Sequence, residues 1–166
     1  MKYLFFWGHQ PERDGGIGKG CLSQWWPCTF EADGETFTSA EHYMMWRKAL
    51  LFDDADIARR VLAARTPAEA KSLGRQVAGF SDAAWVSARM EIVVAANLAK
   101  FGQDPALRTY LLGTGSRVLV EASPQDRVWG IGLVATDPRA SDPSQWLGLN
   151  LLGEALMEVR SKLAAR

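Results

Sequence analysis

Thr38-Ser39-Ala40-Glu41-His42-Tyr43-Met44-Met45-Trp46-Arg47-Lys48 places a carboxylate, an imidazole, a phenol and an ammonium group within about three helical turns. Residues three and four apart share a helix face, so Glu41, Met45 and Lys48 fall on one side. His42 and Trp46 form the neighbouring stripe. A carboxylate aligned with a cation and bordered by aromatic rings suits a polar, planar ligand. Thr38 followed three residues later by Glu41 also fits a capping box, in which both side chains satisfy orphan amides at a helix start. The two roles are compatible. A glutamate in the first turn feels the positive end of the helix, which favours its ionised form, whereas burial among Tyr43 and the tryptophans acts in the opposite sense.

Outward from this segment the pattern stays largely helical. The helix predicted over 39–52 is followed by a second over 54–64. Thr66-Pro67-Ala68-Glu69 then opens a third that stops near Gly74, with a cap, a proline at the first position and an acid at the third. Ser81 opens a long helix to about Lys100, Asp104-Pro105 starts another that ends at Gly113, and a last helix spans roughly 147–164. Strands are few and short. Residues 3–8 and Arg117–Glu121 read as strands, and 26–37 as a hairpin with Asp33-Gly34 at its turn. The fold class expected is mainly α with a few short β-strands, as a single domain over 1–166.

Composition narrows the function. Nineteen basic and nineteen acidic side chains cancel, so no global charge draws the chain to nucleic acid or an anionic membrane. A single-stranded DNA binder using its seven tryptophans fits poorly, because such grooves are normally positive. Cys21 and Cys28 match no zinc spacing, and two histidines are too few for a usual His-based site, so neither metal nor cofactor is expected. The apolar start Met1–Trp7 is too short for a signal peptide and no run reaches membrane-spanning length. A cytoplasmic protein without a membrane partner is the expectation. The Gly15–Gly20 stretch lacks the Gly-Lys-Ser/Thr ending of a phosphate loop and reads as a flexible loop.

A second carboxylate, Asp126, stands three residues before Trp129-Gly130. An Asp in a loop is commonly a turn former. The glycines beside Trp129 would let backbone approach a ligand closely. If the fold brings Asp126 near Glu41, the pair has the parts to hydrolyse a glycosidic bond. One group handles the proton of the leaving base or of water, and the other stabilises an oxocarbenium-like sugar. Lys48 or Arg75 would then meet phosphate or ribose oxygens. The polar stretch up to about Gln145, with Asp137-Pro138 and Asp142-Pro143, holds little that could enter a core and suggests a binding edge or lid.

Several blocks together resemble one family. They are Ala40-Glu41-His42-Tyr43-Met44-Met45 with Lys48, Lys71-Ser72-Leu73-Gly74-Arg75, Trp85, Ala99-Lys100-Phe101 and Leu119–Pro124. Asp126-Arg127-Val128-Trp129-Gly130-Ile131-Gly132-Leu133 and Trp146–Arg160 complete the series. In this order the chain resembles the NADAR (YbiA-like) family of N-glycosidases. The resemblance implies a helix-rich domain that hydrolyses ribosyl C1–N bonds, either in the ribosylamino-pyrimidine phosphates of early riboflavin synthesis or in ADP-ribosylated guanine. The substrate is accordingly a small ribosyl or ADP-ribosyl molecule, or an ADP-ribosylated nucleic acid. A non-catalytic module binding ADP-ribose or NAD is the alternative. By matching position, Glu41, Asp126 and Trp85 would be the functional trio, with Trp129 and Gly130 beside the sugar. Lys48, Arg75, Tyr43 and Trp25 would contact substrate. Gln24 stands where the family pattern has Asn, and the Gly15–Gly20 loop has no counterpart.

Overall fold

The computed structural model describes residues 1–166. In chain order its elements are β1 (Tyr3–Phe6), β2 (Phe30–Ala32), β3 (Glu35–Phe37), α1 (Ala40–Leu51), α2 (Ala55–Ala63) and α3 (Pro67–Gly74). They continue with α4 (Asp82–Gln103), α5 (Pro105–Gly113), β4 (Val118–Glu121) and α6 (Leu151–Ala164), and short 3-10 turns lie at Lys19–Leu22, Pro138–Ser141 and Pro143–Gln145. The fold is mainly α with a few short strands, as expected. Two compact units organise the chain: Gln24–Gln103, and Met1–Ser23 together with Asp104–Arg166.

In the Gln24–Gln103 unit, β2 and β3 form the anticipated antiparallel hairpin, with Phe30 opposite Phe37. Asp33 and Gly34 both adopt positive φ, the geometry that a tight two-residue hairpin turn demands. The hairpin is held to α1 by aromatic packing. The ring of Phe37 lies 5.1 Å from that of Tyr43 and 5.2 Å from that of Trp46, both edge-on. Around α1 pack α2, α3 and α4. Gly74 lies against the Met45 side chain of α1, which would have to shift to admit a Cβ there. The start of α3 follows its sequence: Thr66 Oγ1 accepts from the Glu69 amide, and Glu69 returns to accept from the Arg65 amide. Ser81 caps α4 through the Ala84 amide, and α4 runs on past Lys100 to Gln103.

In the other unit, β1 and β4 pair in parallel, Tyr3 against Val118, and α6 packs on β4. The last helix starts at Leu151 rather than near 147. The segment before it is held against the preceding loop, the Leu147 amide donating to Ile131 O and the Leu149 amide to Arg127 O. Asn150 then turns the chain at φ 53°, and its side chain bridges β4, accepting from the Glu121 amide and donating to Leu119 O, each at 3.0 Å. The polar 134–145 stretch is more ordered than a plain loop. Asp137 and Asp142 each cap a 3-10 turn, Ala140 is fully buried, and Trp146 donates to its carbonyl while packing on the core of Val120, Ile131 and Leu133.

The glycine-rich segment also departs from expectation. Glu12 and Gly15–Gly16 close on one another through backbone bonds, and the turn Lys19–Leu22 buries Gly20, Cys21 and Leu22. A Cβ at Gly20 would sit 2.2 Å from Gln10 O. The glycine is therefore a packing requirement and not a hinge. Gly20→Ala should destabilise the protein by about 1–3 kcal/mol in urea melts, the usual penalty of overpacking. A flexible loop would give no change, or a slight gain from the stiffer unfolded chain.

Candidate active site

Glu41 lies in the first turn of α1 and is 4% exposed. Its helix is capped by Ser39, whose Oγ accepts from the His42 amide at 3.1 Å. Thr38 is not the cap, which corrects the capping-box reading. The reason is His42. Its imidazole Nδ1 sits 2.6 Å from the same Ser39 hydroxyl and its Nε2 lies 3.0 Å from Ala64 O at the end of α2. A neutral ring completes this set: Nε2–H donates to the carbonyl and Nδ1 accepts from Ser39, leaving the hydroxyl oxygen to cap the helix. Burial lowers the His42 pKa below 6.5, against smaller raising effects from the Ala64 carbonyl and Glu69. With the folded pKa below the unfolded one, the His42 contribution to stability is complete above about 6.5 and is lost as pH falls through the folded value. Urea melts should therefore weaken on going from pH 7.5 to 5.5, and His42→Gln should flatten that limb of the profile. An unchanged slope in the variant would remove His42 from this role.

Lys48 lies at the far end of the Glu41 face. Burial lowers its pKa, Glu41 acts to raise it, and Arg75 to lower it, so the three charges share one electrostatic neighbourhood. The Lys48 Nζ stands 4.8 Å from the ring centroid of Phe80 and 5.6 Å from that of Trp85. Arg75 caps the C-terminus of α3 and is exposed. Lys71, one turn earlier, stands 5.9 Å from the Trp25 ring. One carboxylate, three cations and three aromatic rings thus belong to the Gln24–Gln103 unit. Four of the residues singled out from sequence, Glu41, Lys48, Arg75 and Trp85, are brought together. Phe80 was missed, since a lone exposed Phe in a loop carries no periodic signal.

Tyr43 has a different place. It is 1% exposed, and its hydroxyl donates to Asp33 Oδ2 and accepts from Arg47, both at 2.6 Å. Burial and the Asp33 carboxylate push its pKa up to about 12. The ring anchors the hairpin on α1.

Asp126, Trp129 and Gly130 lie in the other unit, on the loop between β4 and α6. Asp126 Oδ1 accepts from the Val128 and Trp129 amides at 2.9 and 2.8 Å, which makes it the turn former that a loop Asp commonly is. Gly130 admits protein backbone: a Cβ there would meet Glu121 O at 2.9 Å and Asp126 O at 3.0 Å. The loop is also tied to α6, with Trp129 O accepting from the Leu152 amide and Gly130 O from the Asn150 amide. No cluster of three or more His, Cys, Asp or Glu side chains has the makings of a metal site, and no helix is long and apolar enough to cross a membrane.

The family model described as the NADAR domain matches residues 5–164, and the chain belongs to the NADAR family. It is 40% identical over 166 residues to N-glycosidase R617 of Acanthamoeba polyphaga mimivirus, covering 97% of this chain and 96% of that one. It is 34% identical over 142 residues to the chloroplastic riboflavin biosynthesis protein PYRR of Zea mays, covering 80% of this chain and 21% of that one. The NMR structure of the E. coli protein YbiA superposes with a TM-score of 0.79 at 27% identity, over 99% of this chain and 86% of that one.

Proposed function

We propose that this protein is an N-glycosidase that hydrolyses a ribosyl C1–N bond in a phosphorylated, nucleotide-derived substrate. The observation that carries the reading is Glu41, buried in a first helical turn beside Lys48 and Arg75 with the Phe80 and Trp85 rings against the lysine. Relatives that are named N-glycosidases and riboflavin biosynthesis proteins support it.

The chemistry follows from these groups. Glu41 accepts a proton from water as the water oxygen bonds to C1 of the ribose. The C1–N electron pair leaves with the base, whose nitrogen takes up the proton that Glu41 drew from water, which returns Glu41 to its ionised form; the products are a free base and a ribose with a hydroxyl at C1. Proton transfer from a positioned carboxylate contributes about 10²- to 10⁴-fold in rate. Lys48 and Arg75 hold phosphate oxygens, Arg75 through its planar fork. Trp85 borders the ribose or the base. Asp126 is assigned the complementary carboxylate role and Trp129 a place beside the sugar, both on the family resemblance. A pure phosphate binder gains nothing from a buried glutamate among its cations, which favours an enzyme over a binding module.

A paired hydrolysis assay decides the substrate. One sample holds the ribosylamino-pyrimidine phosphate of early riboflavin synthesis and the other an ADP-ribosylated guanosine oligonucleotide. Free pyrimidine with ribose 5-phosphate marks a metabolite hydrolase; restored guanine with free ADP-ribose marks a de-modifying enzyme. Activity on neither, with ADP-ribose still bound, overturns the hydrolase reading in favour of a binding module.

A further inference from the structure

The turn of α1 that carries Glu41 is held from two sides. On one side the Glu41 amide donates to Gln24 O at 3.0 Å. On the other, the His42 ring spans a longer gap, with Nδ1 2.6 Å from the Ser39 hydroxyl and Nε2 3.0 Å from Ala64 O, 22 residues along the chain. Ala64 is the joint between two helices: it ends α2, and Thr66 just beyond it caps α3. Ser39, His42 and Ala64 are all buried. The helix that leaves this joint carries Lys71 and, at its C-terminal cap, Arg75. It meets α1 again near that end, where Gly74 lies against the Met45 side chain. α3 is therefore pinned on α1 at both ends. Near Arg75 the contact is apolar and the methionine is adaptable. Near Glu41 it is a hydrogen bond, which weakens steeply when its geometry is lost.

We infer that His42 is a positioning residue: it fixes the Glu41 turn against the α2–α3 joint, and so sets the carboxylate against the phosphate contact at the far end of α3. This inference rests on the N-glycosidase reading of Glu41. A phosphate held by Arg75 fixes one end of the substrate, and C1 must then meet the water that Glu41 activates. A misplacement of about 1 Å between such groups can cost about 10²-fold in rate. Releasing the Ala64 bond lets the Glu41 turn shift while the phosphate stays held. The neutral imidazole suits this task because it accepts at one nitrogen and donates at the other, on opposite sides of a rigid ring. A carboxamide at position 42 can make one of the two contacts, according to its length. His42 itself touches neither substrate nor reacting atoms.

Two substitutions separate the contacts. His42→Asn keeps an acceptor beside Ser39 and is too short to reach Ala64 O, whereas His42→Gln keeps a donor to Ala64 O and gives up the Ser39 contact. On whichever substrate the wild type hydrolyses in the paired assay, His42→Asn should lower kcat of the folded enzyme by about tenfold or more, with the calorimetric Kd for ribose 5-phosphate within about threefold of wild type. His42→Gln should restore kcat to within about threefold of wild type. Lowered melting temperatures with kcat unchanged in both variants would make the ring merely structural and overturn the inference. An equal loss of kcat in both overturns it too, because the Ala64 bond would then not be the cause. If His42→Asn fails to fold, His42→Gln carries the test together with nitrogen NMR of the labelled wild type. The imidazole should be protonated at Nε2 and bare at Nδ1 near neutral pH, and the opposite tautomer overturns the inference. Unchanged kcat in His42→Asn with turnover lost in Glu41→Gln overturns this inference alone. A wild type that hydrolyses neither substrate overturns it together with the glycosidase reading.

Discussion

Glu41→Gln should lower turnover by about 10²- to 10⁴-fold while substrate binding persists. The substitution preserves shape, so the surroundings of residue 41 need not rearrange, and the Gln24 carbonyl still receives the residue 41 amide. On the proposed mechanism it removes the capacity to accept a proton and the negative charge facing a developing ribosyl cation. The charge also bears on Lys48, whose ammonium form Glu41 favours. In the variant the Lys48 pKa should fall further below 10.5, and phosphate affinity should decline earlier on the alkaline side. A turnover loss with a nearly unchanged Kd at neutral pH is the signature of an interaction made chiefly in the transition state. Turnover close to wild type would remove Glu41 from the chemistry.

Asn150→Ala should be the most damaging of these changes to the fold, costing about 3–5 kcal/mol in urea melts. Asn150 is fully buried, with a left-handed backbone at φ 53° and two side-chain bonds to β4. Alanine strands the Glu121 amide and the Leu119 carbonyl and also pays for the left-handed conformation. Asn150→Gly separates the two effects. It relieves the backbone and leaves the stranded groups, so it should recover only about 1–2 kcal/mol of the loss. A loss within about 1 kcal/mol for Asn150→Ala would mean that the β4 bridge contributes little. Because whole domains are stable by only about 5–15 kcal/mol, the alanine variant should also be scarce in cells.

The parts legible in the sequence were those decided by adjacent residues. Asp33-Gly34 marks its hairpin turn because few other pairs tolerate two positive φ values, and the Thr66–Glu69 and Asp104-Pro105 helix starts satisfy amides within one turn. The parts that were not legible depend on distant partners. Ser39 displaces Thr38 as the cap because His42 reaches the Ala64 carbonyl, 22 residues away. Asn150 delays α6 because its amide bridges a strand 29 and 31 residues earlier. Gly20 looks like any loop glycine until Gln10 O is placed against it.

The site divides in the same way. The helical spacing of Glu41 and Lys48 was readable, and their electrostatic coupling agrees with it. Phe80 emerges only from the packed chain, where its ring lies 4.8 Å from the Lys48 Nζ.

The most direct test of the central claim is to measure both products in one sample, with a chelator present and Glu41→Gln as control. Hydrolysis through Glu41 predicts free base and free sugar phosphate in one-to-one ratio, insensitive to the chelator and lost in the variant. Base release that survives Glu41→Gln, or substrate that stays bound and intact with the wild type, would contradict it.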